Sequence, residues 1–266
     1  MYTLCIANQK GGVGKTTVAV FLASGLAING RHVLLIDLDA QGNASNWAVP
    51  DRPADEIDLA DALLDDDIKL EDIIRSSPLG FDVAPSSQYM TEVPVAFARR
   101  PENDRGLPVL RQHLERMSRL RSDEPYDYVL IDCPPAMGSL VLGALTASDG
   151  VLVPIQVEAM SIQGLDTFQD AVEQVRSSGA NPDLELVGVL ANNLDIRRNQ
   201  TKNGLKHLEE YLGEDLLDTR IRQRTDVSEA SAFSESIFEF DSDSYSARVF
   251  GQLTDEVIAR IENESR

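Results

Sequence analysis

The hydrophobic pattern of the first forty residues predicts a strand, a loop, a helix and a second strand. Residues 3–8 (TLCIAN) form a short β-rich run, and residues 16–28 carry apolar side chains at helical spacing up to Asn29-Gly30, which ends the helix. Residues 32–37 (HVLLID) are almost continuously apolar and end in a carboxylate. Strands that are apolar on both faces are typical of a parallel sheet covered by helices, so this segment predicts a right-handed β-α-β unit.

The same alternation of strands and helices continues to the end of the chain. Further strands are predicted at 127–132, 150–156 and 184–193, and helices at 105–121, 139–147, 161–178, 200–212 and 245–263. The stretch 50–104 differs, because it holds an acidic helix candidate (LADALLDDD, 59–67), a short strand (FDVAP, 81–85) and a loop rich in Pro and Arg. We interpret that stretch as an excursion at the sheet edge. The pattern predicts one α/β domain over residues 1–266, with seven or eight mostly parallel strands and helices on both faces.

Composition narrows the class of protein. Hydrophobic residues make up 42% of the chain, which allows a sizeable core, yet no apolar run approaches the roughly 18–20 residues of a membrane helix. The N-terminus lacks a basic segment followed by an apolar stretch, so we expect a cytoplasmic protein without a signal peptide. The two cysteines, Cys5 and Cys133, lie in apolar runs, which excludes a disulfide scaffold and a Cys-rich zinc site. The three histidines do not cluster.

The charge is strongly acidic. The chain has 24 Lys and Arg against 44 Asp and Glu, a net charge of -20, and only 5 of the cations are Lys while 26 of the anions are Asp. Two interpretations remain open: an ordinary acidic soluble protein, or a halophilic surface on which dense carboxylates retain water at high salt. Either way a broad basic face is absent, so any site for DNA must be a local cluster of cations.

Residues 10–17 (KGGVGKTT) have the composition and context of a phosphate-binding loop, because they follow a predicted strand and open a helix. Glycine at positions 11, 12 and 14 lets backbone N–H groups turn towards an anion, and the helix adds its positive N-terminal end. Lys15 would reach the β- and γ-phosphates, and the Thr16 hydroxyl would bind Mg²⁺. The strict pattern G-x-x-x-x-G-K-[ST] is not met, since its first position falls on Gln9.

Carboxylates follow two other predicted strands. Asp132 closes DYVLID, and in phosphate-loop folds such an Asp lies beside the loop and holds Mg²⁺. Asp37 and Asp39 close HVLLIDLD, two residues apart, and therefore point to the same side of an extended chain. Open α/β sheets bind ligands at the carboxyl ends of their strands, so the three carboxylates support one site.

Four segments together resemble the ParA/MinD family of deviant Walker A ATPases, most strongly its ParA branch. They are KGGVGKTT (10–17), LLIDLDAQGNAS (34–45), YVLIDCPPAMG (128–138) and VPIQVEAMSIQGL (153–165). The resemblance implies a P-loop NTPase fold and an ATPase that uses ATP and Mg²⁺, with nucleotide contacts from Lys10, Gly11, Gly12, Val13, Gly14, Lys15, Thr16 and Thr17.

The resemblance also implies a role for individual residues. Lys10 matches the signature lysine that reaches across a homodimer, formed on ATP binding, to the partner's phosphates. Asp39 matches the catalytic position that orients the attacking water, and Asp37 would lie nearer the Mg²⁺ shell. Alanine stands at position 40, where the family commonly has Pro. Asn192 or Asn193 would read the adenine edge, or else bond only to the loop backbone.

Relatives of this kind bind DNA nonspecifically as ATP dimers and are stimulated by a ParB-like partner. Two cation clusters lie where the family's DNA surface falls: Arg197, Arg198 and Lys202, then Arg220, Arg222 and Arg224. The alternative for these clusters is a solvated face paired with neighbouring acids. The alternatives for the function of the protein are a nucleotide-dependent regulatory switch or an ATPase that positions a protein cargo. A MinD-like membrane role is disfavoured, because residues 255–266 carry more acidic than basic side chains.

Overall fold

The computed structural model describes residues 1–100, 107–120, 124–157 and 161–264. Its centre is an eight-stranded sheet with the strand order β3-β4-β2-β5-β1-β6-β7-β8. The strands are β1 (Tyr2–Ile6), β2 (Val33–Asp37), β3 (Arg75–Ser76), β4 (Asp82–Ala84), β5 (Tyr128–Asp132), β6 (Gly150–Gln156), β7 (Glu185–Leu194) and β8 (Leu216–Arg222). Every neighbouring pair is parallel except β3 and β4, which are antiparallel.

Helices cover both faces of the sheet, as the apolar strands require. They are α1 (Lys15–Ile28), α2 (Asn43–Ala48), α3 (Leu59–Leu64), α4 (Leu70–Ile73), α5 (Val93–Ala98), α6 (Val109–Leu120), α7 (Ser139–Ala147), α8 (Ser161–Ser177), α9 (Asn199–Leu212), α10 (Thr225–Ala232), α11 (Ile237–Phe240) and α12 (Tyr245–Glu264). One core layer packs α1 and α12 on the sheet around Phe21 and Phe250, whose rings meet edge to face. The other layer holds α6, α7 and α8. Successive residues of each strand alternate between the two layers.

The position of β1 fixes where a ligand can bind. It lies between β5 and β6. The connection from β1 to β2, through α1, covers one face of the sheet, and the connection from β5 to β6, through α7, covers the other. Such a reversal of strand order opens a crevice at the carboxyl ends of the strands. The loop that follows β1 lies in this crevice, next to the ends of β2, β5, β6 and β7.

The predicted parallel α/β fold is confirmed, and the differences are local. Strand β8 was not predicted, although its alternating burial leaves a period-two pattern in LLDTRIR. The helix predicted at 59–67 ends at Leu64, where Asp65 takes an extended conformation. Of the helix predicted at 105–121, the described part runs from Val109 to Leu120, and residues 105–106 and 121 lie outside the described residues. Strand β3 and helices α2, α4, α5, α10 and α11 were also not predicted, because each is about two turns long or shorter and has little periodicity.

Candidate functional site

The loop between β1 and α1 has the backbone geometry of an anion-binding turn. Gly12 and Gly14 have φ values of 75° and 89°, in the left-handed region that favours glycine. The carbonyl of Gly14 accepts the N–H of Val18 at 2.9 Å, which begins the hydrogen bonding of α1. The free N–H groups of the first helical turn and the curled loop therefore face the same crevice.

Side-chain amides at the ends of β6 and β7 hold this loop from outside. The amide group of Gln156 donates to the carbonyl of Gly12 at 2.8 Å, and that of Asn192 donates to the carbonyl of Val13 at 2.8 Å. Gln156 and Asn192 are register partners across the two strands. Because these two successive loop carbonyls are bonded on the outer side, the N–H groups of the same peptide units, on Val13 and Gly14, point the opposite way.

Lys15 lies at the base of the crevice. It is 7% exposed, and its ammonium is 3.5 Å from the carbonyl of Lys10. Burial lowers the pKa of Lys15, and Asp132, Cys133 and Asp39 oppose that change in this order. A partly desolvated ammonium with carboxylates on one side has a strong electrostatic attraction for a phosphate on the other. Lys10 itself is exposed at the entrance of the loop.

Asp132 is a buried carboxylate aimed at the same crevice. It is fully buried, and among the residues that the structure describes neither of its oxygens has a hydrogen-bond partner of good geometry. Burial raises the pKa of Asp132 well above its usual range, Asp37 raises it further, and Thr16 and Lys15 oppose the shift. A buried carboxylate whose desolvation is only partly offset is costly, and it is the arrangement that a divalent cation would stabilise.

Asp37 differs from Asp132 in how its oxygens are used. One oxygen accepts both the N–H and the hydroxyl of Ser45, at 2.8 and 2.7 Å, and the other accepts the N–H of Asp39 at 3.0 Å. Burial nevertheless raises the pKa of Asp37 to about 6. Asp37 therefore has fewer free lone pairs to offer a cation than Asp132 has. Asp39 is half-buried at the rim, where its carboxylate accepts the N–H of Gln41 at 3.0 Å.

A cleft of about 360 Å³ adjoins the outer side of the loop. Its lining includes Gly12, Gly14, Thr17, Asn192, Asn193, Arg222 and Arg224. The guanidinium groups of Arg222 and Arg224 lie 5.1 and 5.8 Å from the centre of the Tyr245 ring. The structure thus brings two of the predicted DNA-binding arginines beside the phosphate loop, because β8 is the neighbour of β7 and the two strands end together. Asn193 has a φ of 54°, and the Asn192 amide group is bonded to the loop.

The remaining predicted DNA-binding residues differ in exposure. Arg197 and Arg198 follow β7, with side chains 85% and 75% exposed, and both pair with Asp195. Lys202 is exposed in the first turn of α9. Arg220 lies within β8, 23% exposed, with its guanidinium 3.7 Å from the Glu209 carboxylate.

Several residues of the site escaped sequence reasoning. Gln156 ends the strand predicted at 150–156, and Ser45 lies at the end of the segment 34–45 that resembles the family, but neither residue was assigned a role. Ser86 lies in the stretch interpreted as an excursion. A polar residue at the end of an apolar strand is the available signal, and it marks Gln156. The structure also places the Cys5 and Cys133 sulfur atoms 3.3 Å apart in the buried layer beneath the loop.

The fold and the comparisons with known proteins together define the family of the chain. The fold and the loop are those of a P-loop nucleotide-binding α/β protein. The model of a family described as an AAA domain matches residues 1–186. The chromosome partitioning protein ParA of Caulobacter vibrioides is 35% identical over 257 residues, covering 97% of this chain and 94% of that protein. The sporulation initiation inhibitor protein Soj of Bacillus subtilis is 34% identical, covering 96% and 98%.

A solved structure agrees with these sequences. Cobyrinic acid a,c-diamide synthase from Mycobacterium smegmatis, with bound ADP and magnesium, superposes with a TM-score of 0.82 at 26% identity, covering 98% of this chain and 96% of that one. The chain belongs to the ParA/MinD family of deviant Walker A ATPases, in its ParA branch. Across residues 1–100, 107–120, 124–157 and 161–264, no helix combines the length and apolar character that crossing a membrane requires.

Proposed function

We propose that this protein is a Mg²⁺-dependent ATPase that partitions DNA or another large cargo by cycling between an ATP-bound dimer and a released monomer. The observation that carries the proposal is the buried Asp132 carboxylate, which has no hydrogen-bond partner of good geometry within the described residues and lies beside the Lys15 ammonium and the glycine loop. That arrangement fits a phosphate group with a divalent cation. The names of the relatives, chromosome partitioning proteins among them, support the cargo class.

The residues of the site have separate roles. Thr16 and Asp132 would hold Mg²⁺, with Asp37 behind them, and the ion when bound neutralises phosphate charge. Lys15 binds the β- and γ-phosphates, and the loop N–H groups fix the phosphate chain. Asp39 orients the attacking water. The Asn192 amide nitrogen is bonded to Val13, so only the rest of its amide group would contact the adenine in the cleft. Asn193 is the other residue that would contact the adenine there.

Lys10 supports the dimer part of the proposal. It is exposed beside the loop and lies ahead of the glycines, so a second subunit facing the crevice would meet its side chain. A cation delivered by the partner stabilises charge on the transferred phosphoryl group and makes pairing of subunits depend on the γ-phosphate.

Nonspecific DNA binding is proposed for the carboxyl edge of β7 and β8. Arg197, Arg198 and Lys202 form its exposed part, and Arg222 and Arg224 connect it to the cleft beside the loop. Arg220 contributes least, since it is half-buried and paired with an acid. Because the cations adjoin the nucleotide cleft, ATP binding can change how they are presented, and a ParB-like partner would then release DNA by stimulating hydrolysis.

Nucleotide binding and hydrolysis test the enzymatic part. Lys15→Ala should abolish Mg-ATP binding, whereas Lys206→Ala, an exposed lysine paired with Glu210 on α9, should bind as the parent does. Asp39→Ala should keep ATP bound and accumulate as a dimer in sedimentation. Turnover by Asp39→Ala at the parent's rate would refute the assigned role of Asp39, and ATP binding by Lys15→Ala would refute the site.

Binding to random-sequence DNA, with and without ATP, tests the cargo part. The parent should bind only with ATP, and Arg197→Ala with Arg198→Ala should weaken binding and reduce the salt slope by about one unit for each lost phosphate contact. Arg111→Ala, an exposed arginine of α6 paired with Glu115, is the control. Equal binding with and without ATP would contradict the switch, and no binding at any salt would favour a protein cargo or a regulatory role.

A further inference from the structure

Two buried serines from distant parts of the chain meet between the ends of β2 and β4. Ser45 lies in α2 and Ser86 follows β4 by two residues, and each is 2% exposed. The N–H of Ser86 donates to the hydroxyl oxygen of Ser45 at 2.8 Å. The loop after β4 is therefore joined directly to the helix that follows the Asp37–Asp39 segment.

The two hydroxyls complete a closed ring of hydrogen bonds through both aspartates. Ser45 Oγ donates to Asp37 Oδ2 at 2.7 Å, and the N–H of Asp39 donates to Asp37 Oδ1 at 3.0 Å. Ser86 Oγ donates to the backbone carbonyl of Asp39 at 2.8 Å. Each serine hydroxyl has one proton, and both protons are used inside the ring. Buried networks whose groups are all bonded hold a single arrangement.

The ring fixes the backbone of Asp39 on both sides of its Cα. Its N–H is held by Asp37, and its carbonyl accepts both the Ser86 hydroxyl and the N–H of Gly42, the latter at 2.9 Å. The two flanking peptide planes therefore set the direction of the Cα–Cβ bond. The bond from the Gln41 N–H to Asp39 Oδ1, at 3.0 Å, then sets the rotation of the carboxylate. The half-buried side chain is thereby held at the rim of the crevice.

We propose that Ser86 is a positioning residue for ATP hydrolysis, which acts by holding the Asp39 carboxylate in the orientation that directs the attacking water. The inference rests on the proposed function. It assigns a role in the reaction to the loop after β4, which no sequence motif marked. Small displacements of a group that orients a reactant cost rate without weakening substrate binding.

Single-turnover hydrolysis of Mg-ATP tests the proposal. Ser86→Ala removes the side-chain bond to the Asp39 carbonyl and leaves the Gly42 N–H bond to that carbonyl and the backbone bond from Ser86 to Ser45. Because the carbonyl loses the contact that ties it to the loop after β4, we expect the rate to fall about tenfold, equivalent to 1.4 kcal/mol, with the Kd for ATP unchanged. Ser86→Thr, which keeps the hydroxyl, should restore most of the rate. Ser77→Ala is the control, since Ser77 is also buried and donates to the Ala48 carbonyl at 2.7 Å, at the far end of α2.

A double substitution separates positioning from general loosening. In an Asp39→Asn background, Ser86→Ala should cause no further loss of rate, because its effect passes through the carboxylate that is already gone. Three results would each overturn the inference. The rate losses of Asp39→Asn and Ser86→Ala could multiply in the double variant, Ser77→Ala could lose as much rate as Ser86→Ala, or Ser86→Ala could hydrolyse ATP at the parent's rate. A parent protein that binds Mg-ATP but never hydrolyses it would instead overturn the proposed function, and this inference with it.

Discussion

The contact between Gly14 and Asn192 allows a quantitative prediction for Gly14→Ala. Gly14 has a φ of 89°, and a Cβ there would overlap the Asn192 amide nitrogen. The left-handed conformation costs an alanine about 1–2 kcal/mol. The Cβ also displaces the amide from the Val13 carbonyl, and an unsatisfied buried carbonyl costs about 1–3 kcal/mol. We therefore expect the free energy of unfolding of the nucleotide-free protein to fall by about 3 kcal/mol.

Gly12→Ala is the matched control for backbone strain. Gly12 has a φ of 75°, and among the described residues no atom outside Gly12 and its two chain neighbours lies within 4 Å of the position that its Cβ would take. Its substitution should therefore cost only the conformational part, about 1–2 kcal/mol. Urea titration of the two variants, with the slope checked against the parent, measures the difference.

A double-mutant cycle decides whether the Asn192 contact is the cause. In an Asn192→Ala background the amide is absent, so Gly14→Ala should cost only the same about 1–2 kcal/mol as Gly12→Ala. The reasoning fails if Gly14→Ala costs no more than Gly12→Ala in the parent. It also fails if the costs of Gly14→Ala and Asn192→Ala simply add.

Three further predictions concern buried titratable groups. Burial lowers the pKa of His113 below its ordinary 6.5, so the unfolded chain takes up a proton at a higher pH than the folded chain does. The free energy of unfolding should therefore fall as pH drops below about 6.5. In urea titrations at several pH values, His113→Gln should flatten that dependence, whereas His207→Gln, at an exposed position, should not. Cys5 and Cys133 are fully buried, and their hydrogen bond and burial raise the pKa of the Cys133 thiol, so an aromatic disulfide reagent should label both only in denaturant; fast labelling of the native protein would contradict their burial. Asp132→Asn removes a charge whose desolvation Thr16 and Lys15 only partly offset, so the nucleotide-free protein should gain about 1 kcal/mol by urea titration while Mg-ATP binding is lost. A less stable variant would contradict the conclusion that burial dominates at Asp132.

The chemistry of the phosphate loop was readable from the sequence because its causes are local. Glycine is needed where φ is positive, and positions 12 and 14 have those values. A lysine and a threonine at the start of a helix follow directly in the chain, so Lys15 and Thr16 needed no knowledge of the fold. The apolar strands also predicted a mostly parallel sheet, which the strand order confirms. Their terminal carboxylates predicted a site at the carboxyl edge of that sheet, and this stays a prediction.

Contacts between strands that are distant in sequence were decided only by the tertiary structure. Gln156 and Asn192 hold the loop because β6 and β7 are paired in a register that makes them partners, and periodicity carries no information about register between distant segments. Arg222 and Arg224 were expected with a DNA surface, and they line the cleft beside the glycine loop because β8 pairs with β7. Ser86 reaches Asp39 because β4 lies beside β2. The sequence by itself determined the fold class and the phosphate-binding chemistry, whereas the packing order of the strands decided which side chains support and surround that chemistry.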